Sequence, residues 1–325
     1  MNSDPRLTHL HEWIKENLGN IEYSLIPVSG DASFRRYFRL TSASHNYIAV
    51  DSPPDKESNN EFVNVTHLLA AEGLPVPHIH YCSLDFGFFL LSDLGDEVLL
   101  NILNDNNVDQ FYSSALNALT IIQQTPATSL PLYSEQLLLQ EMELFREWFL
   151  KKYLSLQLTD DDNLLLNNIF TNLADNALQQ PQVFVHRDFH SRNLMKIDSK
   201  YPGIIDYQDA VLGPITYDLV SLLRDCYISW PSEKVGEMIH SFYMQLVENN
   251  MLTNIDEKIF IKWFDLMGIQ RHLKAIGIFS RLHIRDHKPN YLQDIPRTLE
   301  YIQSVASYYL ETNKLSEFII RKVKV

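Results

Sequence analysis

The chain is poor in cysteine, in basic charge and in long apolar runs, and each shortage removes a class of protein. Two cysteines, Cys82 and Cys226, stand far apart in 325 residues. They make neither a disulfide framework nor a metal-binding spacing, so two reduced, mostly buried thiols are expected. Lys and Arg number 27 against 41 Asp and Glu, a formal charge of -14. That balance argues against nucleic acid as a partner, because phosphate backbones are bound by clustered cations, and against a basic membrane patch. No apolar run approaches a membrane span, and the first thirteen residues hold no signal-peptide core. The expected compartment is the cytoplasm, with no obligate protein partner. Glycine is also scarce, at ten residues, and 45% of the chain is apolar, which describes a packed protein long enough for two lobes.

What is present divides near residue 94. Residues 4–18 read as a helix, and the apolar and aromatic stretches of 23–50, broken at Gly30-Asp31 and at Ser44-His45-Asn46, suggest an antiparallel meander. Residues 60–72 carry Phe62, Val65, Leu68 and Leu69 at helical spacing and stop at Gly73. Residues 75–77 begin an extended segment, and the run at 86–92 fits a buried strand that Asp93-Leu94-Gly95-Asp96 breaks. Beyond it the pattern is mainly helical, at 108–124, 134–154, 160–178, 215–228, 233–249 and 256–282. An α+β chain of two lobes, 1–94 and 95–325, is expected. Two short apolar strands, 183–185 and 203–205, interrupt the helical half and run directly into polar clusters. Strand ends that eject polar side chains are where sites are carried.

The first of these clusters, His186-Arg187-Asp188-Phe189-His190-Ser191-Arg192-Asn193, satisfies H-x-D-x-x-x-x-N, and Asp206 follows the second strand. This is the catalytic-loop pattern of kinases of the protein-kinase-like fold. Phosphoryl transfer asks a protein chiefly for positioning and charge neutralisation. Asp188 is expected to orient an acceptor hydroxyl and take its proton, while Asn193 and Asp206 hold Mg2+ on the phosphates of ATP. Isolated Asp and Asn residues commonly cap turns. Four identities at the right spacing beside two strands outweigh that alternative.

VFVHRDFHSRNLM at 183–195, GIIDYQDA at 203–210 and GPITYDL at 213–219 resemble the aminoglycoside phosphotransferase and choline kinase family. There Asp218 braces the loop from a helix start. GDASFRRYFR at 30–39, DSPP at 51–54, YQDA at 207–210 and QRHLKAIGIF at 270–279 are similar, more narrowly, to bacterial anomeric kinases of N-acetylmuramate and N-acetylglucosamine in cell-wall recycling. The resemblance spans about residues 4–299. It implies a bilobal protein-kinase-like fold, with a small antiparallel-sheet N-lobe for the nucleotide and a mainly helical C-lobe for the acceptor. It also implies ATP, magnesium and a small-molecule amino-sugar acceptor. Choline, an aminoglycoside or another small alcohol is the alternative acceptor, and a nucleotide-binding pseudokinase scaffold is the alternative class.

Two departures bear on the nucleotide. Kinases of this fold carry a lysine on the third strand paired to a helix glutamate, yet residues 47–51 read YIAVD. Glu61 fits the glutamate, and Arg36, or its neighbours Arg35 and Arg39, stands to supply the missing cation. The phosphate loop has Gly30 alone in place of G-x-G-x-x-G. The resemblance puts adenine against the backbone of Leu91, Asp93 and Leu94. For the acceptor, Arg192 within the loop leads a set that includes Arg224, Arg271, His272, Arg281 and Arg285. Gln208 and Asp209 either bind sugar hydroxyls or cap the turn after Asp206. Tyr227 and Trp230 offer an aromatic wall or belong to the core.

Overall fold

A computed structural model describes residues 4–28, 34–43 and 46–323. Along the chain run α1 (Pro5–Leu18), β1 (Tyr23–Pro27), β2 (Arg36–Ser42), β3 (Asn46–Asp51), α2 (Asn59–Ala71), β4 (Ile79–Ser83) and β5 (Phe88–Ser92). Then follow α3 (Leu99–Ile102), α4 (Val108–Gln124), α5 (Glu135–Leu144), a π-helical stretch Phe145–Tyr153, and α6 (Asp160–Leu178). The remainder is β6 (Gln182–Val185), β7 (Leu194–Met195), β8 (Gly203–Ile204), β9 (Val211–Pro214), α7 (Tyr217–Leu223), α8 (Ser232–Glu248), α9 (Glu257–Asp286), a 3-10 turn Pro289–Asp294, α10 (Ile295–Ala306) and α11 (Asn313–Lys322). The chain forms two compact units, one of Met1–Leu99 with Asn193–Asp209 and one of Leu100–Arg192 with Ala210–Val325.

The first unit is an antiparallel sheet in the order β1-β2-β3-β5-β4. Period-two alternation gives it two buried faces. Leu10, Trp13 and Ile14 of α1 cover Phe38, Leu40, Tyr47, Ala49, Phe88 and Leu90. Val50, Phe89 and Leu91 point the other way, where Phe62 and Val63 of α2 pack with Tyr37 and Ile48. The distant β7–β8 hairpin joins this unit through Lys196 N–H to Glu97 O at 2.7 Å and Ile204 N–H to Pro75 O at 2.9 Å. Cys82 is exposed and Cys226 buried, both free, so the expectation of buried thiols holds only for the second. The short strand β4 alternates outward at a sheet edge, which leaves Cys82 in solvent.

The second unit is built around α9, thirty residues and therefore about 45 Å long. Asp256 caps its start by accepting Lys258 N–H, and left-handed His287 ends it. The helix packs against α5, α6, α7, α8, α10 and the π-helical stretch. Sequence periodicity predicts one helix over 134–154, but its second half widens to π geometry, a feature that tends to mark functional regions. At that junction α9 comes into backbone contact. A Cβ on Gly277 would lie 2.3 Å from the Leu144 carbonyl carbon and 2.6 Å from Phe145 N. The shorter α7, ending at Leu223 where the pattern predicts helix to 228, frees Asp225 and Tyr227 for other contacts.

Because backbone on the α5 side cannot yield to a methyl group, Gly277→Ala is expected to destabilise the protein by about 2–4 kcal/mol. Thermal unfolding checks this, and a melting temperature equal to the parent's would mean that α9 is free to shift.

Candidate active site

In the second unit, β6 pairs with β9 in register Val185↔Val211 and launches the 186–192 loop. Asp218, in the first turn of α7, grips the loop's entry: its carboxylate accepts His186 N–H at 2.7 Å and Arg187 N–H at 3.0 Å. Burial pushes Asp218 up to about 7 against the pull of those two bonds. Arg187 is left-handed, φ 75°, a conformation costing about 1–3 kcal/mol for a residue with a side chain. The loop's exit is held by Asp225, which accepts Ser191 N–H at 3.0 Å, Ser191 Oγ–H at 2.5 Å and Tyr227 N–H at 2.9 Å. Asp188 is thus presented from a loop clamped at both ends.

The side chains around Asp188 come from α5, α7, α9 and the loop itself. Glu141 of α5 is buried, and Tyr133 Oη–H and the Arg187 guanidinium both donate to it. Lys274 Nζ lies 3.0 Å from the same carboxylate and 3.0 Å from Tyr217 Oη. Burial works to keep Asp188 protonated, but Lys274 first, then Arg271 and Arg187, outweigh it and hold its carboxyl below the usual value of 3.8. An ionised carboxylate in this position can accept a hydroxyl proton. Burial lowers His190, leaving a neutral imidazole edge-on to Tyr227 at 5.3 Å between ring centroids.

These groups line a pocket with Asp188, His190, Tyr217, Tyr227, Arg271 and Lys274 on its walls. Of the residues expected to meet an acceptor, Arg271 and Tyr227 line this pocket directly. Arg192 lays its guanidinium on Tyr227, 3.6 Å from the ring centroid, and reaches Tyr291 at 5.5 Å. Arg224 is engaged elsewhere: it pairs with Asp265 at 2.6 Å and lies over Phe264. His272 Nε2 meets Arg224 O at 2.9 Å, and burial lowers the ring to about 3, so it donates as a neutral core imidazole. Arg285 pairs with its neighbour Asp286, and Trp230 stands edge-on to Tyr112.

In the first unit, Asp206 follows β8 in a left-handed conformation, φ 65°. Its two oxygens accept Asn193 Nδ2–H at 3.3 Å and Gln208 Nε2–H at 2.8 Å. Tyr207 anchors this corner by stacking on Phe62 of α2 and meeting Thr66 Oγ1 at 2.9 Å. Asp209 is exposed. Arg36 lies directly opposite Asp51 in the β2–β3 register and is ion-paired to Asp4 and Asp51. Arg35 instead is 4% exposed. Its Nε donates to Ser52 Oγ at 3.0 Å, Glu57 lies 3.5 Å away, and Phe62 lies beneath its guanidinium. Burial first, then the Asp206 charge, push the Tyr37 phenol up to about 12 against Arg35. Glu61 is exposed on α2, so the carboxylate that meets an arginine here is Glu57. Arg39 donates to Asp93 at 2.6 and 3.0 Å. Leu91 pairs with Ile48 across β3–β5, and the Leu94 side chain covers Gly203. Gly30 lies outside the described residues.

Sequence reasoning passed over Glu141 and Asp225, gave His190 and Lys274 no role at the site, and named Arg35 only beside Arg36 as a source of the missing cation. One signal was available. Arg271, Lys274, Ala275 and Ile278 recur at spacings of three and four on one helix face beside the apolar Leu273, Ile276 and Phe279, and charge in such a setting is buried only for a reason.

An antiparallel sheet unit and a helical unit bearing a clamped H-x-D loop define the protein-kinase-like fold of small-molecule phosphotransferases. A choline kinase from Streptococcus pneumoniae has the same fold, with a TM-score of 0.64 at 14% identity over 91% of this chain and 99% of that one. An ADP-bound aminoglycoside phosphotransferase gives 0.60 at 16% identity over 90% and 97%. The model of the phosphotransferase enzyme family matches residues 24–245, and the chain belongs to that family. An N-acetylmuramate/N-acetylglucosamine kinase of Pseudomonas putida is 41% identical over 97% of this chain and 96% of its own length. Its namesake in Neisseria meningitidis is 36% identical over 98% and 96%. No helix among the described residues is long and apolar enough to cross a membrane.

If Lys274 is the cation that most favours the Asp188 carboxylate, Lys274→Met raises the Asp188 pKa. The acidic limb of kcat/KM against pH, which reports groups of the free enzyme, then moves to higher pH. A limb that stays where it is in the parent would remove Lys274 from that role.

Proposed function

We propose that the chain is a cytoplasmic ATP- and magnesium-dependent kinase that phosphorylates the C1 hydroxyl of N-acetylmuramate and N-acetylglucosamine. The observation that carries this reading is the pocket at Asp188: an ionised carboxylate on a clamped loop, in a pocket walled by Arg271, Lys274 and Tyr227. Near-full-length similarity to kinases of those two sugars supports the choice of acceptor. Choline and aminoglycosides are cationic and call for acidic walls, whereas Arg271 and Lys274 repel them.

Asp188 accepts the hydroxyl proton as the acceptor oxygen bonds to the γ-phosphorus and the bond to ADP breaks. Arg192, held flat on Tyr227, and Arg271 orient the sugar, with Gln208 and Asp209 as further polar groups of the motif. Asn193 and Asp206 supply an amide oxygen and a carboxylate, hard oxygen donors suited to magnesium. No group of three His, Cys, Asp or Glu side chains among the described residues makes a closed cage. Bound there, magnesium neutralises charge on the transferred group. For the cation that the third strand lacks, Arg35 is better suited than Arg36. Arg36 is neutralised by two carboxylates, while Arg35 is buried with only Glu57 at 3.5 Å, and it and Asp206 both act on the Tyr37 phenol. Leu91, Asp93 and Leu94 remain the backbone candidates for adenine.

Phosphorus NMR after incubation with ATP, magnesium and either sugar is expected to give a sugar-1-phosphate, and Asp188→Asn to lower kcat about 1,000-fold. Absence of product with both sugars would overturn the acceptor, and failure across a panel of alcohols would favour a nucleotide-binding scaffold. Asp206→Ala is expected to raise the magnesium concentration needed for half the maximal rate; an unchanged dependence would take Asp206 out of the metal site.

A further inference from the structure

The acceptor pocket contains a cation whose hydrogen bonding the protein leaves incomplete. Arg271 sits in the buried middle of α9 and is 6% exposed, yet its Nε has no partner among the described residues. Its Nη1 reaches only the Cys226 thiol, at 3.9 Å. Neighbouring cations are treated differently: Lys274 and Arg187 share the Glu141 carboxylate, and Arg224 has Asp265. A buried guanidinium with an unfilled donor is costly, and fork-shaped donors of this kind match a carboxylate. Asp188 belongs to the same pocket, but in the reaction it receives a proton and so is not a permanent partner.

The two sugars of the proposed function differ at one substituent. N-acetylmuramate bears a lactyl ether with a carboxylate on C3, where N-acetylglucosamine bears a hydroxyl. We propose that Arg271 is the specificity-determining residue that binds the lactyl carboxylate, completing its donors when the acidic sugar enters the pocket. The proposal rests on the amino-sugar reading above. His190, whose Nδ1 also has no partner among the described residues, faces the same cavity as a neutral group and leaves Arg271 to answer the charge.

The test compares kcat/KM for the two sugars in the wild type, Arg271→Met and Arg271→Lys, with far-ultraviolet circular dichroism as a check on folding. The ratio of N-acetylmuramate to N-acetylglucosamine is expected to fall about 100-fold in Arg271→Met, chiefly through KM, and to be partly restored in Arg271→Lys. A third arm needs no variant: wild-type enzyme is given N-acetylmuramate whose carboxylate has been converted to the primary amide, and kcat/KM is expected to drop by a similar factor. An equal loss on both sugars in Arg271→Met would overturn the proposal and assign the guanidinium to the transferred phosphoryl group. An amide turned over as well as the acid would overturn it even if neither variant folds. Wild-type enzyme that phosphorylates neither sugar would overturn the function itself, a result distinct from a failure of Arg271 alone.

Discussion

The second unit is organised around the buried carboxylate of Glu141. Two cations, Arg187 and Lys274, end on its oxygens, and Tyr133 donates a third hydrogen bond. Taken alone, any one of these groups would be expensive to bury. Together they fix geometry that would otherwise relax. Arg187 is held in a left-handed conformation just before Asp188, and Lys274 is held on α9 where its charge reaches the Asp188 carboxyl. One acidic residue therefore sets both the path of the loop and the ionisation of the residue the loop presents.

Environment then separates carboxylates that are chemically alike. Asp218, buried and facing two amides, is pushed up to about 7, while Asp188, facing a cluster of cations, is held below its ordinary value. Asp225 ties the far end of the loop by two bonds from Ser191 and accepts a third from Tyr227. At Asp188 the charged form is favoured chiefly by α9, while the loop is held by Asp218 and Asp225. The same division appears in the histidines. His190 and His272 are both lowered by burial, but His272 spends its ring on a backbone carbonyl and His190 faces the pocket.

Much of this was legible in the chain. The H-x-D-x-x-x-x-N loop and Asp206 need fixed identities at fixed spacing beside short apolar strands, and local sequence carries all of that. Arg35 and Arg36 show where legibility ended. Neighbours on a strand point to opposite faces, so choosing between them required knowing that Arg36 falls opposite Asp51 in register and that Asp4 closes the pair. Glu57 and Glu61 differ in the same way, since only three-dimensional packing brings Glu57 to Arg35. Glu141 and Lys274 are 133 residues apart, and no local pattern announces their meeting. The π-helical stretch has the apolar spacing of an ordinary helix; it begins where Gly277 passes close to the backbone of Leu144 and Phe145.

Net charge described the surface and misdescribed the pocket. A chain of -14 is expected to repel anions, yet positive side chains outnumber negative ones on the walls around Asp188. The two facts are compatible because net charge acts over distances that solvent screens, whereas a buried guanidinium acts on what touches it. One fold hosts different activities, and the shared backbone leaves the difference to a few side chains. In this chain those side chains sit on one face of α9, where Arg271 and Lys274 alternate with the small Ala275 and the apolar Ile278. A helix packed this tightly, with Gly277 against the α5 backbone, cannot rotate to present another face. On the proposed function, acceptor preference therefore follows from the identities along that face.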